Sequence, residues 1–329
     1  MGAIFEGQVR GPGRLGSGSP KPPGLNGRFS RSKRHLALFD MPLFQPIDLD
    51  QLIERANTLE PLPASAASLA SILSQPDWDL EDVMPVVSLD QSLTGKLLSV
   101  ANSVTSGARD PVVTVDQAVI RLGAGQVLTL AIGAGVRRRT QQAVPEYGLD
   151  EGQLWDHSVA CAIVAEGLSG FTQRRIPLET STAALLHDIG KLVLAQSLDP
   201  ALLNYIRSAR EVGGLSEQRA EIEILGVHHA ELGGLIAQQW NLPPIIVEGI
   251  SYHHSPAEAF SSARETPIAH AVHLSNLVAH FVSGACDSLP ADSAELAASK
   301  IRLGLARRDF ETLCYDMRER FNEIACMYG

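Results

Sequence analysis

From Leu62 onward, apolar residues recur at three- and four-residue intervals, and no stretch alternates long enough to demand a strand. That pattern confines the chain to packed helices. Leu93, Leu97 and Ala101 lie at i, i+4 and i+8, one stripe on one helix face. The same spacing predicts further helices at about 154–168, 179–195, 216–239, 244–254, 267–283 and 306–327. Another opens at Thr114, where Thr114 and Gln117 have the spacing of a capping box ahead of the apolar Ala118, Val119 and Leu122. Gly123 and Gly125 interrupt that helix, and the run from Val127 to Ile132 follows at once, so a bent pair is expected. Aromatic residues make up only 5% of a chain that is 45% apolar, a balance that suits Leu- and Ala-rich helices. The expected class is all-α, a multi-helix bundle with a C-terminal helical extension.

Charge divides the chain unevenly. Of 27 basic and 37 acidic residues, residues 1–40 hold seven basic and two acidic ones, a local balance of +5 that leaves −15 for the remainder. A body this acidic repels phosphate backbones, so nucleic-acid contact is expected only through the basic tail, if anywhere. Residues 1–40 also hold eight Gly and four Pro without periodic apolar positions, the composition of a disordered extension. Its removal should leave folding unchanged, and a translation start at Met41 would omit it. Cys161, Cys286, Cys314 and Cys326 form no CxxC pair, which argues against a zinc ribbon or a disulfide framework and fits a reducing cytoplasm. No uninterrupted apolar run reaches spanning length and Met1–Arg10 lacks an apolar signal core, so no membrane association is expected.

The chemistry concentrates in histidine. His157, the pair His187-Asp188, His228-His229 and His253-His254 occur in order along the helical text. Imidazole nitrogens and carboxylate oxygens together suit iron, manganese or zinc, and helices carrying one or two such groups each can converge them inside a bundle. The run Ala184-Leu-Leu-His-Asp-Ile-Gly-Lys191 surrounds Asp188 with apolar residues, so a metal ion or a cation such as Lys191 must meet its charge. Lys191 could otherwise serve phosphate, sitting at i+4 from His187 if the helix continues past Gly190. A hydrogen-bonded core pair without an ion explains His187-Asp188 equally well. Adjacent helical residues diverge by about 100°, so only one of each histidine pair should face a shared site, with His228 left as a surface neighbour. His270, His273 and His280 read as solvated or satisfied within the core.

The string Leu185-Leu-His-Asp-Ile-Gly-Lys191 resembles the signature of the HD superfamily. Glu60-Pro-Leu-Pro63, Ser88 to Ser103, Val115 to Gly123, Glu231-Leu-Gly-Gly and Trp240-Asn-Leu-Pro-Pro244 narrow the resemblance to its HDOD branch, over about residues 55–257. Residues 258–329 are then a helical segment packing on that domain. The resemblance implies an all-helical bacterial signalling or regulatory module that binds a protein partner or a nucleotide ligand. It places His157, His187, Asp188 and one of His253 or His254 at retained metal-ligand positions, with His229 as another. Asn276 stands where the hydrolases carry a closing Asp, and the glycine-tyrosine-proline segment of the cyclic dinucleotide phosphodiesterases is absent after His228-His229. Both departures point away from turnover. The alternative is a metal-dependent phosphohydrolase acting on a nucleotide or cyclic dinucleotide, with Lys191 and Asp188 as its catalytic groups.

Overall fold

The structure, a computed structural model, describes residues 52, 54–56, 58–103, 111–261 and 267–328. The basic extension 1–40 and Met41 lie outside these residues. Four helices come first: α1 (Ala64–Leu73), α2 (Leu80–Leu89), α3 (Gln91–Ala101) and α4 (Val115–Thr140). Their starts follow from local chemistry. Asp79 accepts from the amides of Glu81 and Asp82 and Asp82 bonds back to the Asp79 amide, which closes a capping box on α2. Asp90 caps α3 through the Leu93 amide at 2.9 Å and also accepts the Ser65 hydroxyl at 2.7 Å, tying α3 to α1.

The start of α4 departs from the expected box in one bond. Thr114 accepts from the Gln117 amide at 3.3 Å, but the Gln117 side chain accepts from the Val113 amide at 3.1 Å instead of that of Thr114. The bend is real and belongs to Gly123 alone, where φ is 77° and ψ is 159°. Gly125 stays helical. Residues on both sides of the bend are apolar enough that Val115–Thr140 has the length and composition of a membrane span. Leu128, Leu130 and Ile132 are fully buried in the bundle, so packing accounts for that apolarity.

Helix α5 (Gln153–Gly167) forms the centre. It buries Leu154, Trp155 and Ser158 to Ala165, so it is covered on nearly every side, by α6 (Thr180–Leu186), α12 (Ile268–Val282) and α14 (Arg307–Ile324). Between these run α7 (Gly190–Ser197), α8 (Pro200–Glu211), α9 (Glu217–Leu225), α10 (His229–Gln239), α11 (Pro244–Ser251) and α13 (Ala294–Leu303). Two predicted helices are therefore split. The 179–195 pattern breaks at His187-Asp188-Ile189, and the 216–239 pattern breaks at Gly226, whose φ of 78° ends α9. Among the described residues there is no sheet, only one antiparallel bridge between Val144 and Leu149. The fold is all-α.

Candidate functional site

The break between α6 and α7 positions the central carboxylate. Ile189 donates its amide to the Leu186 carbonyl at 3.0 Å and Lys191 to the Asp188 carbonyl at 2.9 Å, three-residue bonds that tighten the chain where a regular helix would continue. Lys191 thus lies in the first turn of a new helix and not at i+4 of a continuous one. Gly190 permits this path, because a Cβ there would overlap the carbonyl oxygen of His229. The break brings α7 against the start of α10 and places Asp188, 3% exposed, between two groups of imidazoles.

On the Oδ2 side of Asp188 lie His187 Nε2 at 3.4 Å, His157 Nε2 at 3.9 Å and Lys191 Nζ at 2.9 Å. On the Oδ1 side lie His229 Nε2 at 3.3 Å and His253 Nε2 at 3.9 Å, with His254 Nε2 2.9 Å from His229 Nε2. Asn276, from α12, accepts the Nε2–H of His157 at 3.1 Å. The structure therefore brings together His157, His187, Asp188, Lys191, His229, His253, His254 and Asn276. Both members of the 253–254 pair face the centre, contrary to expectation. They lie beyond the end of α11, in a turn, where the angular divergence of helical neighbours does not apply.

His228 is a second correction. It is 7% exposed instead of being a surface neighbour, because it is the N-cap of α10, with Glu231 bonding back to its amide. His270 and His273 lie inside the core, His270 Nδ1 3.0 Å from the Ser299 hydroxyl and His273 donating its Nδ1–H to the His253 carbonyl at 2.7 Å, with the buried His273 Nε2 left without a partner. His280 is exposed and lays its ring 4.6 Å from that of His157.

Sequence reasoning missed a second layer. Glu221, fully buried on α9, accepts from both the Nδ1 and the backbone amide of His229, at 2.7 and 2.9 Å, and from the Tyr147 hydroxyl at 2.7 Å. Glu217 holds Lys191 at 2.6 Å and Arg210 at 3.1 Å. Cys161, one turn along α5 from His157, places Sγ 3.6 Å from His157 Nε2 and 4.0 Å from His187 Nε2. The available signal was positional. Glu221 falls on the buried stripe of α9 with Ala220 and Leu225, and Cys161 is at i+4 from His157.

Charge in this interior is balanced. Burial opposes ionisation of Asp188, but His187, Lys191 and His229 around it hold its carboxyl well below the usual range. Burial likewise opposes a charge on His229, yet Glu221 on one nitrogen and Asp188 on the other push its pKa up to about 10. Lys191 is held above its ordinary range by Asp188 and Glu217 against the effect of burial. Burial lowers His157, His187 and His253, and takes His254 down to about 2, so these rings are neutral. Lys191, His229 and Arg210 thus answer Asp188, Glu221 and Glu217.

The neutral rings also fit a divalent cation. His187 and His253 donate their Nδ1–H to the carbonyls of Ala184 and Ile250, at 2.7 and 2.8 Å, which leaves each Nε2 lone pair directed at the centre. That of His253 is buried and has no hydrogen-bond partner. A buried lone pair with no donor is suited to a metal ion.

Comparison with known proteins agrees with this architecture. A provisionally named phosphohydrolase of Shewanella amazonensis SB2B is similar at 26% identity and a TM-score of 0.61, over 84% of this chain and 98% of that one. A provisionally named signal transduction protein of Marinobacter aquaeolei VT8 is similar at 25% identity and a TM-score of 0.62, over 88% of this chain and 62% of that one. An HDOD domain protein of unknown function from Geobacter sulfurreducens shares the fold, at 20% identity and a TM-score of 0.60, over 85% of this chain and 98% of that one. An uncharacterized protein of Treponema pallidum (strain Nichols) is 25% identical over 71% of this chain, which spans 44% of the length of that relative. The family model described as HDOD domain matches residues 59–256 and so takes in every residue at the centre except Asn276. With that match over more than half its length, the chain belongs to the HDOD domain family.

Proposed function

We propose that the protein is a bacterial, cytoplasmic regulatory module that works by binding a protein partner or a nucleotide ligand, and that its His/Asp centre anchors the bundle without turning over substrate. The state of Asp188 carries this reading. Its charge is already answered by Lys191 at 2.9 Å and by His229 at 3.3 Å, and it is closed off from solvent. Asn276 supplies no second anion and is spent on His157. Lys191, expected as a possible phosphate contact, is held from both sides by Asp188 and Glu217. The free thiols of Cys161, Cys286, Cys314 and Cys326 support a reducing compartment. Incubation of the full chain with cyclic dinucleotides and nucleoside phosphates, with added manganese, iron or magnesium, tests the reading. Every substrate should be recovered intact, and product above background would contradict it.

The competing reading, a metal-dependent phosphohydrolase, is favoured by the unpartnered Nε2 of His253 among converging donors. His157, His187, Asp188, His229, His253 and His254 would hold iron, manganese or zinc, with Asn276 as a neutral neighbour. A bound ion there would supply Lewis acidity and an activated water. In that case Glu221 orients His229, the Ala184 and Ile250 carbonyls orient His187 and His253, and Lys191 and Asp188 are the catalytic groups.

A further inference from the structure

We propose that the groove between α2 and the start of α4 docks an amphipathic helix of a partner protein, apolar along one face and bearing Lys and Arg along its margins. Leu80, Glu81, Met84, Pro85 and Ser88 of α2 and Asp116 of α4 line an open groove of about 560 Å³. Helical spacing groups the five residues of α2 on one side, while Val83 and Val87 turn into the core. Apolar surface continues beyond the groove. Leu89 lies one turn on from Pro85 and Ile120 one turn on from Asp116, 87% and 69% exposed, and Val113 just before α4 is 73% exposed. These are three of the six large apolar side chains exposed among the described residues, and they flank two helix segments that pack together. Such a concentration marks an interaction surface.

Charge identifies the occupant. From Leu59 to Gly95 the chain holds six acidic residues and no Lys or Arg. Glu60 is answered by Arg138 and Arg139, and Asp79, Asp82 and Asp90 are spent on helix starts. Glu81 and Asp116, one on each helix of the groove, have no ion-pair partner among the described residues. Pro85 has no amide hydrogen to donate to the Glu81 carbonyl, so the same residue leaves a backbone acceptor open on that side of α2. The groove therefore offers apolar contact together with negative charge and acceptors, which apolar side chains flanked by cationic donors complement. Phosphate is repelled by the same charge, so of the two ligand classes in the regulatory reading, on which this inference rests, the groove selects the protein over the nucleotide. No strand edge is available among the described residues and no aromatic ring lines the groove, which leaves a helix laid in the groove as the mode of recognition.

The test reads the fluorescence anisotropy of a labelled peptide of about 18 residues, made of Leu and Lys and patterned to place every Leu on one helix face, against the full chain at physiological salt. The peptide should bind, and its counterpart with Glu in place of Lys should not. Glu81→Lys with Asp116→Lys should weaken binding at least about tenfold, and Leu89→Ser with Ile120→Ser, which keeps the charge, should do so by a similar factor. Asp316→Lys with Glu319→Lys, the same charge change at exposed positions of α14, should leave affinity within about twofold. Absence of binding, equal binding of the Glu peptide, affinity unchanged in either groove variant, or an equal loss in the α14 variant would overturn the proposal. Self-association of the full chain that is abolished by the Leu89 and Ile120 changes would assign the groove to a second copy and overturn it as well. Hydrolysis is a separate readout. Product formation by a chain that binds the peptide in this groove would overturn the regulatory reading and leave the docking surface in place, whereas a chain that neither hydrolyses nor binds would lose the docking surface alone.

Discussion

The helices from Ala64 to Thr140 and those from Gln153 to Val282 bury side chains of different character. In the first set the buried polar groups are hydroxyls and amides, such as Thr129, Thr140 and Gln126, and the rest of the interior is Leu, Val, Ile and Ala. In the second, His187, Asp188, Glu221, His228, His229, His253, His270 and His273 are all buried. The first set buries no carboxylate or imidazole among the described residues. Apolar packing is forgiving and non-directional, whereas a buried carboxylate must be met at hydrogen-bond distance by particular donors. The first set can therefore accept many apolar sequences, while the second fixes one arrangement of α5, α6, α7, α10, α11 and α12. A polar interior stabilises less than an apolar one of the same volume, so the second region gains a fixed arrangement at some cost in stability.

The largest expected effect breaks that second interior. Asp188→Ala leaves Lys191 and protonated His229 without their shared counter-ion and should destabilise the chain by about 3–5 kcal/mol in urea unfolding. In the apolar region, Leu97→Ala should cost about 2–4 kcal/mol through lost burial and the residual cavity. The two variants separate the regions by rescue. Asp188→Asn, similar in volume, should recover little of the loss because the buried cluster keeps one positive charge that Glu217 and Glu221 do not answer, whereas Leu97→Met should recover most of it. Equal rescue at both positions would mean that the two interiors are held together in the same way.

Acid sharpens the contrast further. Burial and the neighbouring Arg302 lower the pKa of His270 to about 4, so its ring is neutral in the fold. An unfolded chain takes up that proton near pH 6.5, so stability falls as the pH drops from about 6.5 to about 4 and the effect levels off below that. The loss from His270 is at most about 3 kcal/mol. Melting temperature against pH should show this limb, and His270→Gln should make it shallower while the other rings that burial keeps neutral retain the rest. An unchanged acid limb in His270→Gln would remove His270 from the account.

The smallest effect on folding concerns Asn276. Asn276→Asp restores an anionic oxygen 3.1 Å from His157 Nε2 and should raise occupancy by a divalent ion about tenfold while shifting stability by less than about 1 kcal/mol in the absence of metal. Metal analysis of both proteins checks it. Unchanged occupancy would mean that the centre is a hydrogen-bonded core.

Helix positions, the bend near Gly123 and the gathering of the histidines were legible because apolar spacing and residue type report them directly. The breaks at His187 and Gly226 were not, since the apolar stripe runs through both and only tertiary packing of α7 against α10 selects the tightened turn. Glu221 was hidden for the opposite reason. A glutamate on a helix reads as solvated until the Tyr147 hydroxyl and His229 are seen to enclose it. The exposed apolar residues Leu89, Val113 and Ile120 show the limit of periodicity from the other side, being apolar by sequence and unburied in the fold.

The central claim is that the Asp188 centre holds the regulatory module together without hydrolysing anything. Steady-state product formation from cyclic dinucleotides and nucleoside phosphates tests it most directly, measured for the unmodified chain beside His187→Ala and Asp188→Ala in the presence of manganese, iron or magnesium. The account predicts the same background rate for all three proteins. Robust turnover by the unmodified chain, abolished in either variant, would contradict it.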